Sequence, residues 1–242
     1  HYSGKHRRCT GNFYSRRLDL GNMEQTVWNV THGNGFTLTD PAGNKQESRL
    51  AVHADFLLIL MAPFYYVWSD PKILLLIQTI IVELGALPLF WIAQEKLKSQ
   101  KLALLFASAY LLYPPFERML LHDFHAVALS ATFLLFAYWF MQKEKYFWFL
   151  VFALLATLGK EEVWLITGLM GLYIIFFRKK RIIGLLTAAI SFLAFYLLLW
   201  KIIPAVSVSR QHFALVYLSD FGDNQNHIIR QILTNPLHVL IT

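Results

Sequence analysis

The sequence predicts an all-α, polytopic transmembrane helical bundle, and three observations carry that expectation. The composition is oily, with 56% hydrophobic, 16% aromatic and only 15% charged residues over 242 positions. Soluble domains carry about 25% charged residues. Several apolar runs approach or reach the length of about 20 residues that crosses a bilayer. Three short basic clusters, Lys96/Lys98/Lys101, Lys143/Lys145 and Arg178-Lys179-Lys180-Arg181, separate those runs. Short Lys/Arg-rich loops stay on the cytoplasmic side of a membrane, so the clusters orient the bundle.

The first fifty residues are not oily. Residues 18–28 read as a short helix, followed by a Gly/Asn-rich turn through Thr31–Gly35 and another at Asp40-Pro41-Ala42-Gly43. Residues 51–68 are apolar and almost long enough to span. Spanning would put residues 1–50 in the cytoplasm; lying along the surface as an interfacial helix would put them outside. Hydropathy leaves both open. Clear spans follow at 72–94, 124–142 and 182–203, with shorter ones at 102–117, 145–159 and 162–177. Gly159-Lys160-Glu161-Glu162 divides the last two, because such residues at mid-bilayer are costly and in a turn are cheap. Threading the chain through these six spans places all three basic loops on one side. Trp68, Trp91, Trp139, Tyr146, Trp148 and Trp200 fall near predicted ends, as interfacial aromatics do.

Charge and cysteine usage exclude several classes. The net charge of +7 would suit nucleic acid in a soluble protein, but here the excess lies in orienting loops, so no nucleic-acid partner is expected. Cys9 is the single cysteine, which rules out an intrachain disulfide and a thiolate metal cage. The chain opens on His1 without a signal-peptide pattern and closes inside an apolar run beginning near Pro236. It therefore reads as a piece of a longer membrane protein. No phosphate-cradling glycine loop, Walker motif or Ser-His-Asp signature appears.

A series of pieces in fixed order carries a resemblance. They are Asp19-Leu20-Gly21-Asn22 with Gln25 and Trp28, His53 opening an apolar run that ends at Trp68-Ser69-Asp70-Pro71, and Gly85-Ala86-Leu87-Pro88-Leu89. Tyr113-Pro114-Pro115, Asp123-Phe124-His125 and Lys160-Glu161-Glu162 complete the series. Together they resemble a family of polytopic membrane proteins of unknown function related to the GT-C glycosyltransferases. The resemblance runs from about Asp19 to Pro204. It implies a long first outer loop with an acidic catalytic residue near its start and surface-lying helices. By that analogy residues 1–71 are an outer loop in which 51–68 lies on the surface. Residues 72–203 are then a six-helix bundle, and 204–242 an outer loop leading into a further helix. It also implies sugar transfer from a polyprenyl-phosphate carrier, with the lipid bilayer and that carrier as partners. The helix that usually precedes the acidic loop is absent from this sequence.

The reactive groups follow from these placements. Asp19 is the candidate base, since an inverting transfer needs a carboxylate to take the acceptor's proton; read from sequence alone it equally suits a helix N-cap. Glu24 is the rival base or a solvated helix residue. His122, Asp123 and His125 are spaced to ligate zinc or manganese by ligand type, or simply start a helix at the interface. The one cofactor candidate is a divalent cation, and the resemblance leaves metal dependence open. His53 could bind sugar or phosphate or be an interfacial histidine, and the resemblance adds Gln25 to the substrate contacts. Lys160 at a helix N-terminus suits a phosphate, or closes a self-neutralising turn with Glu161 and Glu162. Arg118 and Arg49 are further phosphate candidates. Glu83, inside a span, suggests a proton path or an interhelical hydrogen bond. Asn29-Val30-Thr31 has the glycosylation pattern, by chance in a prokaryotic protein.

The leading expectation is a membrane glycosyltransferase acting at the outer face of a prokaryotic cytoplasmic membrane. The rival is a non-enzymatic membrane protein, either a secondary transporter or a scaffold. A transporter predicts paired repeats and broken midplane helices, and the sequence displays neither.

Overall fold

The computed structural model describes residues 18–39, 45–207 and 225–235. Expectations for Cys9, the basic residues of 5–17, the Asp40–Gly43 turn, the His122 side chain and most of 204–242 lie outside that set.

Helices dominate. The chain opens with α1 (Leu18–Thr31), then β1 (Thr37–Thr39) and β2 (Gln46–Ser48), a 3₁₀ turn Arg49–Ala51, and α2 (Leu57–Val67). The bundle follows as α3 (Lys72–Leu84), α4 (Ala86–Leu97), α5 (Gln100–Leu111), α6 (Pro114–His122) and α7 (Ala126–Gln142). It continues with α8 (Tyr146–Thr157), α9 (Val163–Tyr173), α10 (Arg181–Leu197), α11 (Ile203–Val206) and α12 (Gln225–Thr234). The two strands pair antiparallel with Thr37 opposite Ser48, a small departure from the all-α expectation.

Lys72–Leu97 and Arg181–Val206, each 26 residues, are long and apolar enough to cross a membrane. Leu57–Val67, Ala126–Gln142, Tyr146–Thr157 and Val163–Arg178 are apolar but shorter. The run predicted to span 102–117 is corrected: α5 stops at Leu111 and α6 starts afresh at Pro114. A residue before proline is pushed off the helical backbone, and Tyr113 sits extended at φ −73°, ψ 111°. Pro204 does not interrupt its helix in this way, and Ile203 before it stays helical at φ −60°, ψ −49°. Lacking an N–H for the carbonyl four residues back, Pro204 follows a widened π turn at Leu198–Ile202.

Consecutive helices pack as antiparallel pairs, α4 with α5, α7 with α8 and α9 with α10, while α3 lies along α7. Small residues allow the closest approach. A Cβ on Gly171 would meet the backbone nitrogen of Ala188 at 2.6 Å, and one on Gly184 the carbonyl of Gly171 at 2.7 Å. Near Gly85 the helix tightens, and the Val82 carbonyl accepts the Tyr110 hydroxyl at 2.9 Å and the Thr132 hydroxyl at 3.3 Å. Two apolar cores result. One joins α1, α2, α3 and α7 around Val27, Leu58, Leu74 and Leu129; the other joins α7 and α8 to the end of α9 around Met141, Phe149 and Ile174.

The three basic turns meet at one end of the bundle. Lys143 pairs with Glu95 at 2.9 Å, Lys180 approaches Glu144 at 4.0 Å, and Arg178 donates to the Gln142 carbonyl at 2.9 Å. Each turn is closed by a residue in the left-handed region: Lys98, Glu144 and Lys179. That conformation ends a helix abruptly. The first core, and the elements that carry the candidate site, lie at the opposite end.

Candidate functional site

Asp19 occupies the first turn of α1, where a carboxylate is favoured by the helix dipole. Its Oδ2 lies 3.5 Å from Nε2 of His125, with side chains 56% and 38% exposed. Solvent and a ligand can reach this pair. His125 is the N-cap residue of α7 and Asp123 the C-cap residue of α6, both extended. The link 123–125 between two helices is held by Gln78, fully buried in α3. The Gln78 amide donates to the Asp123 carbonyl at 3.0 Å and accepts from the His125 N–H at 2.7 Å.

The second half of the site is a strap, residues 49–57, laid over the turn between α8 and α9. His53 Nδ1 is 2.9 Å from Glu161 Oε1, and the Ala54 N–H donates to Glu161 Oε2 at 3.0 Å. The Leu57 N–H donates to the Leu158 carbonyl at 2.8 Å. Glu161 is fully buried, with both oxygens engaged. Within the strap, buried Arg49 grips Asp55 through Nε at 3.0 Å and a terminal nitrogen at 2.5 Å. Arg49 is therefore corrected as a phosphate ligand: its fork is already filled by a buried carboxylate.

The other predicted groups divide by burial. Glu24 is buried beside Tyr65, whose hydroxyl is pushed up by burial first and then by the charges of Glu24 and Asp70. Gln25 donates to the Thr39 hydroxyl at 2.6 Å and accepts from the Thr39 N–H at 3.0 Å, so its amide fastens α1 to β1. Asn29 is buried and donates to the Thr37 carbonyl at 2.9 Å, which makes its glycosylation pattern a scaffold contact. Lys160 pairs with Glu162 at 3.1 Å, while Glu161 bonds the strap instead of Lys160. Arg118 lies exposed on α6. Glu83 is exposed on α3 instead of bonded between helices. Among the described residues, no three His, Cys, Asp or Glu side chains converge as metal ligands.

An open, mainly apolar cavity of about 570 Å³ runs between α3 and α6. Trp68, Leu75, Leu76, Thr79, Leu120 and Leu121 line it, with Lys72 and Glu117 among its polar groups. Lys72 lies 3.9 Å from Asp70.

Sequence reasoning singled out Asp19, His53, Asp123, His125 and Glu161, of which the fold brings Asp19 into contact with His125 and His53 with Glu161. It missed Gln78, which holds the Asp123–His125 link, and it missed Asp55 and the Leu158 carbonyl. A glutamine inside an apolar run was the one available signal, since a buried amide must find partners.

No curated protein and no solved structure matches this chain. A family model described as "Predicted membrane protein (DUF2079)" matches residues 10–242. With nearly the whole sequence matched and two helices able to cross a bilayer, the chain belongs to the DUF2079 family of predicted membrane proteins.

Proposed function

We propose that this protein is a polytopic, GT-C-like glycosyltransferase of the prokaryotic cytoplasmic membrane, using a polyprenyl-phosphate-linked sugar at the outer face. The reading rests on one observation: an exposed carboxylate, Asp19, beside His125 at the end of the bundle opposite the basic turns. With the basic end cytoplasmic, that pair faces the outer leaflet.

The chemistry is a single displacement. An acceptor hydroxyl attacks the anomeric carbon, the bond from that carbon to the phosphate oxygen breaks, and the polyprenyl phosphate leaves with the electron pair. Asp19 takes the hydroxyl proton, and His125 orients the carboxylate or receives the proton in turn. Glu24 is the weaker base because burial keeps an acceptor from it. Lys160 would hold the leaving phosphate by exchanging Glu162 for it, and Arg118, exposed on α6, is a second cation. The cavity between α3 and α6 suits the carrier's hydrocarbon. Asp123, His53, Glu161 and Glu162 shape the site around these groups. A divalent cation has no assigned place.

The test uses the donor, because the acceptor is unidentified. Membranes containing the protein are given radiolabelled polyprenyl-phosphate hexoses, and release of label from the lipid phase is followed. Wild-type membranes are expected to turn donor over above control membranes. Asp19→Asn should lower that rate by about 10² to 10⁴, the usual range for general-base loss, while the protein stays at normal abundance. Undiminished turnover by Asp19→Asn removes Asp19 from the reaction.

A further inference from the structure

Gln78 lies six residues into α3, about 9 Å along the helix from its start at Lys72. Facing it is the extended link Asp123–His125, with Phe124 fully buried at its centre. Extended backbone recessed into a bundle has no neighbouring turn to bond, and at membrane depth its polar groups need protein partners. The Gln78 amide satisfies one group on either side of Phe124: its nitrogen donates to the Asp123 carbonyl at 3.0 Å, and its oxygen accepts from the His125 N–H at 2.7 Å. Those two bonds fix the start of α7 in height and rotation. The same residue, His125, carries the ring that meets Asp19 on a separate element, α1.

We infer that Gln78 is a positioning residue, whose amide clasp on the Asp123 carbonyl and the His125 N–H holds the His125 ring against Asp19. Few other side chains could do this. Leucine offers neither bond. Glutamate keeps an acceptor for the His125 N–H and loses the donor to Asp123. Asparagine is one methylene short of bridging both. The catalytic consequence rests on the glycosyltransferase reading; the placement of His125 does not.

The experiment separates the two. In the full-length protein with Cys9→Ser, Asp19→Cys and His125→Cys are combined and joined with a short bis-methanethiosulfonate reagent. Position 125 keeps its backbone N–H, so the clasp survives the cysteine. Efficient cross-linking is expected with Gln78 present and a several-fold loss with Gln78→Leu. Gln78→Glu should give an intermediate yield and serves as the deciding variant if Gln78→Leu fails to accumulate. Equal yields in Gln78 and the folded variant overturn the inference. On the donor assay, Gln78→Glu should lower kcat with KM unchanged, by up to about 10²-fold for a displacement near 1 Å. If wild type turns over no donor while the cross-link still depends on Gln78, the enzymatic reading falls and the positioning role stands. A cross-link indifferent to Gln78 in an active enzyme has the opposite meaning.

Discussion

Glu161 accepts from two groups more than a hundred residues earlier in the chain, and its burial makes both bonds matter. A buried donor left without an acceptor costs about 1–3 kcal/mol, well above the net gain from making the bond. Glu161→Ala strands the buried Ala54 N–H and takes the carboxylate from the part-exposed His53 ring, so it should destabilise the protein by about 1–3 kcal/mol on that scale. Glu161→Gln keeps one oxygen and turns an amine toward the other partner, and should fall between the two. Thermal unfolding of the three proteins in nanodiscs measures this; an alanine variant as stable as wild type would mean the strap is not held by Glu161. Such contacts explain what could be read from the sequence at this scale. His53, His125 and Glu161 stood out because each is a polar group at the edge of an apolar run, and Asp19 because of the family resemblance. Their pairing did not, since His53 with Glu161 and Gln78 with Asp123 depend on chain crossings that leave no local pattern. Arg49 misled for a different reason: its partner Asp55 is only six residues away, but an Arg and an Asp at that spacing outside a helix have no fixed geometry to announce a bidentate pair.

At the scale of elements, the helices are placed by where they can approach. Gly171 of α9 and Gly184 of α10 bring two backbones together, as small residues do between membrane helices. Alanine at either position puts a Cβ within 3 Å of backbone that cannot rotate away. Overpacking of this kind costs about 1–3 kcal/mol. Gly21 in α1 is the internal control, with nothing within 4 Å of a built Cβ. Gly21→Ala should therefore stabilise the protein, by about 0.5–1 kcal/mol of helix propensity and unfolded-state entropy. The opposite signs, read as melting temperatures of single variants, test the packing independently of any function. Destabilisation by Gly21→Ala equal to that by Gly171→Ala would contradict it. Most helices were legible because hydropathy and basic turns mark them directly. The boundary at Tyr113 was overrun, although Pro114-Pro115 announced it: an apolar run had outweighed a backbone rule. The short strands escaped because Thr37–Thr39 and Gln46–Ser48 are too short to show a period of two.

At the scale of the molecule, everything chemical depends on which side of the membrane α1 occupies, and α2 decides that. Eleven residues of helix extend about 16 Å at 1.5 Å per residue, roughly half of the 30 Å hydrocarbon layer. Both ends of α2 also meet the same end of the bundle. Its first N–H bonds the Leu158 carbonyl beside Glu161, and Trp68 just beyond its last turn lines the cavity with Lys72 of α3 and Glu117 of α6. A crossing helix would have one end beside Lys143 and Lys180 instead. The prediction is therefore one of sidedness, and two exposed positions report it: Gln46 on β2 and Lys145 in a basic turn. In a Cys9→Ser background, Gln46→Cys should react with a membrane-impermeant maleimide in intact spheroplasts, and Lys145→Cys only after lysis. Protection of Gln46→Cys until lysis would place β2, α1 and Asp19 with the basic turns. Asp19 would then be cut off from a donor presented at the outer leaflet, however close it lies to His125. Labelling of both positions in intact cells would instead reverse the assignment of the basic end. The ion pairs that join the three basic turns would then be a packing device, and their charge would carry no orienting force.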